Sequence, residues 1–115
     1  MSIEGRATLM RIYTDERAKG DSGPLYNVVV KKAREAKLAG ATVLRGVIGF
    51  GIAGHIQRAS ILDLSGNLPI VIEIVDDESK LRSFLASLEG LTDVGLVTLQ
   101  AVEVLHYDGG KPLSA

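Results

Sequence analysis

The sequence predicts one α+β domain in which two helices cover one face of an antiparallel sheet. Three observations predict it. Residues 69–75 (PIVIEIV) alternate with period two, so Ile70, Ile72 and Ile74 share one face while Val71, Glu73 and Val75 share the other. Two stretches, one opening at Pro24 and one at Asp76, carry apolar residues at helical spacing. The segments fall in the order strand, helix, strand, long loop, strand, helix, strand. Two βα-β halves of this size match a ferredoxin-like βαββαβ sandwich with a long loop between strands two and three.

Each element has its own signal. Residues 6–13 alternate, with Thr8, Met10 and Ile12 on one side and Ala7, Leu9, Arg11 and Tyr13 on the other. Residues 14–23 (TDERAKGDSG) are polar with two glycines and predict a loop. Pro24 suits a first helical position, because its missing N–H has no partner there in any case. Tyr26, Val29, Val30, Ala33 and Ala36 form the apolar stripe, and Gly40 is the expected stop. Residues 41–48 (ATVLRGVI) are β-branched and predict the second strand, followed by a glycine-rich stretch from Gly49 to Asn67. Asp76, Asp77 and Glu78 place negative charge at the start of the second helix, whose Leu81, Phe84, Leu85 and Leu88 recur at i, i+3, i+4, i+7 before Gly90. Residues 96–107 (LVTLQAVEVLHY) predict a last strand, bent near Gln100–Ala101. Residues 1–107 are thus expected to form a single domain and 108–115 (DGGKPLSA) a flexible tail.

Composition excludes several function classes. With 13 basic and 14 acidic side chains the net charge is −1, which argues against a polycationic nucleic-acid binder. There is no Cys, so disulfides, thiolate metal sites and Cys nucleophiles are absent. No apolar run approaches the roughly 18 residues of a membrane span, and the expected location is cytoplasmic. On the helix-free sheet face, Leu9, Arg11, Val71, Glu73, Val75, Thr98 and Gln100 are expected together, with Arg11 and Glu73 paired across neighbouring strands. That mixture of apolar and charged residues predicts subunit contact in a closed homo-oligomer.

The chemistry concentrates in residues 45–60. No Asp or Glu occurs from Leu38 through Leu62, while Arg45, His55 and Arg58 fall inside that window with Gly40, Gly46, Gly49, Gly51 and Gly54. Cations, accessible amides and a lack of carboxylates suit an anionic ligand such as phosphate. Gly49–Gly54 also spells G-x-G-x-x-G. A dinucleotide site requires a helix directly after those glycines. Ile56, Ala59, Ile61, Leu62 and Leu64 make a poor helical stripe, so this reading stands as the lesser alternative. Catalysis has little support. No carboxylate pair stands out, and neither His55 nor His106 has a sequence partner for acid–base work.

The run Gly23-Pro24-Leu25-Tyr26, then Lys32-Ala33-Arg34-Glu35-Ala36, Leu38-Ala39-Gly40-Ala41-Thr42-Val43-Leu44-Arg45-Gly46, Gly49-Phe50-Gly51, His55 and Leu68-Pro69-Ile70-Val71-Ile72-Glu73 resembles an uncharacterised small PII-like family of the nitrogen-regulatory PII signalling proteins. The resemblance covers roughly residues 3 to 107. It implies a ferredoxin-like fold, a homotrimer without enzymatic activity, no covalent cofactor, and an adenine nucleotide (ADP, AMP or ATP) bound in clefts between subunits. It also implies regulation of an unknown target protein, such as a membrane transporter or channel, through a mobile loop whose base matches Gly49-Phe50-Gly51. Nucleotide-binding residues carried over or inferred beside it are Arg45, Gly46, Gly49, Phe50, Gly51, His55 and Arg58. Of these, Arg45 and Arg58 are expected on phosphate, Phe50 in packing or stacking, and His55 in a pH-sensitive polar contact. PII proteins usually place Gly-Asp-Gly-Lys before the last strand and arginines within it. Here the matching stretch is Thr92-Asp93-Val94-Gly95, and 96–107 has no Arg or Lys, which argues against ATP phosphate binding in the PII manner and leaves open a less charged ligand such as ADP or AMP, or an anion held by Arg45 and Arg58. The alternative on the same fold is a structural or metal-handling trimer in which His55 and His106 converge between subunits.

Overall fold

The computed structural model describes residues 4–51, 56–58, 67–91 and 94–108. Strand β1 (Gly5–Asp15) buries Thr8, Met10 and Ile12 on one face and leaves Leu9, Arg11 and Tyr13 on the other. It extends past 13 to Asp15, whose Oδ1 accepts the backbone N–H groups of Arg17 (3.0 Å) and Ala18 (2.9 Å) and so turns the chain. Helix α1 (Leu25–Glu35) follows, with Pro24 at the N-cap rather than inside the first turn. Its buried stripe is Leu25, Val28, Val29 and Ala33; Tyr26 and Val30 flank it, and Ala36 is exposed. Gly40 does not end this helix. Lys37 does so, adopting φ 60 while its N–H donates to the carbonyl of Arg34 and that of Leu38 donates to Ala33. Gly40 instead opens the next strand.

The expected strand 41–48 divides in two. Strand β2 (Gly40–Arg45) runs along β5 (Pro69–Asp76) until Arg45 stands opposite Ile70, and Gly46 N–H then takes the Pro69 carbonyl at 2.8 Å. Beyond that point β5 offers no further backbone, so the chain leaves the sheet. Strand β3 (Ile48–Phe50) pairs antiparallel with β4 (Ile56–Arg58) as a separate two-stranded ribbon. The long loop therefore holds a hairpin-like ribbon, and residues 52–55 and 59–66 lie outside the described residues.

Helix α2 (Glu78–Ser87) comes next, with Asp77 at its N-cap, and Gly90 turns the chain at φ 99 after it. Asp76, the last residue of β5, is only 2% exposed. Its carboxylate accepts N–H groups from Ala39 (2.9 Å) and Asp77 (2.6 Å), with Lys80 Nζ at 3.9 Å. Strand β6 (Leu96–Val104) pairs with β1 without interruption from Tyr13↔Leu96 to Gly5↔Val104, so the pairing is unbroken at Gln100–Ala101. It ends at Val104, and Tyr107 hydroxyl donates to the Ala39 carbonyl at 3.2 Å. Apart from Asp108, the expected tail lies outside the described residues.

The main sheet has the order β2-β5-β1-β6, all antiparallel. Both helices cover one face. Met10, Ile12, Ile72 and Ile74 from the sheet meet Leu25, Val29, Leu81 and Phe84 from the helices, forming the α+β ferredoxin-like sandwich. The opposite face carries a row of Leu96, Tyr13, Val71 and Leu44 across all four strands. Leu96 is 58% exposed, Leu44 47% and Tyr13 38%. The next row is polar. Arg11 Nε meets Glu73 Oε2 at 3.0 Å, and its Nη1 donates to Gln100 Oε1 at 2.7 Å, so one guanidinium bridges three strands.

Candidate functional site

Antiparallel pairing brings the end of β1, the end of β2 and the start of β5 to one edge of the sheet. Asp15 is opposite Pro69, and Arg45 is opposite Ile70. The outgoing leg of the crossover (45–50) and its return leg (67–69) therefore leave and enter side by side. The segment after β1 knits them together. Glu16 N–H donates to the Leu68 carbonyl at 3.0 Å, and Leu68 N–H donates back to Glu16 Oε1 at 3.1 Å. Glu16 Oε2 meets Arg45 Nη2 at 2.9 Å. Arg17 N–H also donates to Asn67 Oδ1 at 3.2 Å. A single carboxylate thus holds both legs.

This geometry corrects the sequence reading of the window that lacks carboxylates. A stretch free of Asp and Glu along the chain is not free of them in space, because β1 delivers Glu16 to Arg45. Of the predicted residues, Arg45, Gly46, Gly49, Phe50 and Gly51 lie together along the outgoing leg. Gly46 and Gly49 have a packing reason to be glycine. A Cβ on Gly46 would stand 3.3 Å from Pro69 Cβ, and one on Gly49 would stand 3.1 Å from Pro69 Cγ. A Cβ on Gly51 meets nothing within 4 Å. We expect Gly49→Ala to lower stability by about 1 kcal/mol in urea unfolding, with Gly51→Ala changing it by less than about 0.5 kcal/mol. Equal losses at the two positions would remove Pro69 as the cause.

Phe50 is 74% exposed, and Val47, Ile48 and Ile56 are exposed beside it, so the ribbon presents an apolar surface. His55 and the side chain of Arg58 lie outside the described residues; the backbone of Arg58 pairs opposite Ile48 in β4. The strand at Ile56–Arg58 overturns the dinucleotide alternative, which needs a helix across those positions. His106 follows β6 at the end of the sheet opposite to the crossover, and is exposed. Among the described residues no group of three His, Asp or Glu is arranged to hold a metal ion, and no helix is long and apolar enough to cross a membrane.

Among the described residues, cavities open on the helix side and around the β1–α1 connection. One, of about 410 Å³, lies between the helices against Leu38, Lys80, Ser83 and Phe84. The other, of about 370 Å³, is lined by Glu16, Arg17, Lys19, Gly20 and Gly23. Among the described residues, none of the predicted ones lines either, but the second adjoins the site through Glu16. Sequence reasoning missed Glu16 because it placed residues 14–23 in an ordinary polar loop. Extending the pairing of 69–75 with 6–13 by a few positions puts Glu16 beside Leu68, and that was the available signal.

Comparison with known proteins agrees with this architecture. The family DUF190 (Uncharacterized ACR, COG1993) matches residues 7–104. A UPF0166 protein of Aquifex aeolicus (strain VF5) is 38% identical over 98 residues, covering 85% of this chain and 92% of its own length. The UPF0166 protein MJ1524 of Methanocaldococcus jannaschii is 33% identical over 95 residues, covering 82% and 87%. Among solved structures, CPII from Thiomonas intermedia K12, a nitrogen regulatory PII-like protein, superposes with a TM-score of 0.60 when bound to ADP, AMP and bicarbonate. Its complex with ADP and bicarbonate superposes with 0.58. Both are 16% identical, over 91% of this chain and 94% or 95% of theirs. The chain belongs to the DUF190 (UPF0166) family, and its fold is that of the PII-like proteins.

Proposed function

We propose that this protein is a PII-like regulator, a homotrimer that binds an adenine nucleotide in clefts between subunits and acts on a partner protein through the crossover. The observation that carries the reading is the site at the sheet edge. An arginine and closely packed glycines form the base of the crossover, in a fold shared with a protein solved with ADP, AMP and bicarbonate. Arg45 is the phosphate ligand in this reading, aided by Arg58, with Gly46 and Gly49 packed on Pro69 at the base of the site, Gly51 leaving room for close approach, Phe50 packing on the ligand and His55 in a polar contact. The role is regulatory rather than catalytic. Both legs are tied to β1, so a ligand held at Arg45 bears directly on the ribbon that displays Val47, Ile48, Phe50 and Ile56. Such coupling converts ligand occupancy into a changed partner surface. The apolar row on the open sheet face supplies the contact between protomers.

Calorimetric titration with ATP, ADP and AMP, with and without bicarbonate, tests the reading, together with the mass in solution. The expected mass is three times the 12.2 kDa of one chain. At least one nucleotide is expected to bind, and Arg45→Gln to weaken it about tenfold or more, the worth of a charge-assisted hydrogen bond. No heat with any nucleotide refutes the ligand, and a monomeric mass refutes the cleft between subunits.

A further inference from the structure

Glu16 has a consequence for which anions the site accepts, an inference that rests on the nucleotide reading above. Its carboxylate is the sheltered partner of the pair: the side chain is 20% exposed, against 61% for Arg45. It is pinned from two sides, by Arg45 Nη2 at 2.9 Å and Leu68 N–H at 3.1 Å. The Arg45 guanidinium, in contrast, keeps donors directed away from Glu16 and reaches solvent. A phosphate approaching Arg45 therefore shares one cation with a fixed negative charge. The repulsion grows with each charge the ligand carries.

We propose that Glu16 is a specificity residue: an internal anion that holds Arg45 and discriminates against highly charged phosphate chains, favouring AMP and ADP over ATP. The same carboxylate fastens the return leg, so it also keeps the crossover closed at its base.

The test is Glu16→Gln, titrated with adenosine, AMP, ADP and ATP beside the wild type. Glutamine keeps an oxygen for Leu68 N–H while removing the charge and the acceptor that Arg45 Nη2 meets, and urea unfolding of both proteins checks that the fold is retained. ATP affinity is expected to rise about tenfold, ADP less and AMP least, with adenosine unchanged. In Glu16→Gln/Arg45→Gln the gain for ATP is expected to shrink, because there is no longer a cation to release. Equal gains for all three nucleotides, a loss for all three, or a gain that survives in the double variant overturns the role of Glu16 and leaves nucleotide binding standing. Binding of no nucleotide to either protein overturns the nucleotide reading and this inference together.

Discussion

Ile72→Ala is expected to lower stability by about 3–4 kcal/mol and the Tm by more than about 10 °C. Ile72 lies at the middle of β5, opposite Ile12 on one side and Val43 on the other, with no exposed surface. Period-two alternation directs it at the helix layer, where it joins Leu25, Val29, Leu81 and Phe84 in one cluster. Truncation removes buried methylenes and leaves a void that neighbours on two strands and two helices cannot all close. Thermal unfolding followed by circular dichroism reads the effect. A loss under about 1 kcal/mol would place Ile72 outside a close-packed interior.

The second large effect is expected at Asp76. Asp76→Ala strips the acceptor from two N–H groups, those of Ala39 and Asp77, and leaves them without a partner beside the core. Each unmatched buried donor costs about 1–3 kcal/mol, so the expected loss is about 3 kcal/mol in urea unfolding. Asp76→Asn separates the causes. The two carboxylate oxygens serve different donors, Oδ2 for Ala39 and Oδ1 for Asp77, and an amide can satisfy only one of them. Asparagine is therefore expected to recover part of the loss but not all of it. Full recovery would assign the stabilisation to shape alone and remove the paired-acceptor account.

These two positions mark what was legible in the sequence. Ile70, Ile72 and Ile74 announce their face by alternation, and the Arg11–Glu73 pair followed once the first and third strands were placed side by side. Asp76 was legible only as negative charge near a helix start. Its bond to Ala39 joins the chain across the fold and leaves no local pattern. The same holds for Glu16 and Arg45, which meet only because two strand ends reach one edge. Strand β3 was folded into β2 because Val47 and Ile48 continue the β-branched run. What ends β2 is the start of β5 at Pro69, a fact about the partner strand and not about residues 41–48. Lys37 closes α1 in a conformation usually given to glycine, so the stop was placed at Gly40 instead.

The position of β1 between β5 and β6 governs how this chain is born. Met10 pairs opposite Ile74 and Leu99, so β1 finds its hydrogen-bond partners only in segments that follow it far along the chain. Its apolar face, with that of α1, waits in the meantime without a sheet to cover it. Folding therefore waits on these distant segments, at the modest speed of a topology dominated by long-range pairings.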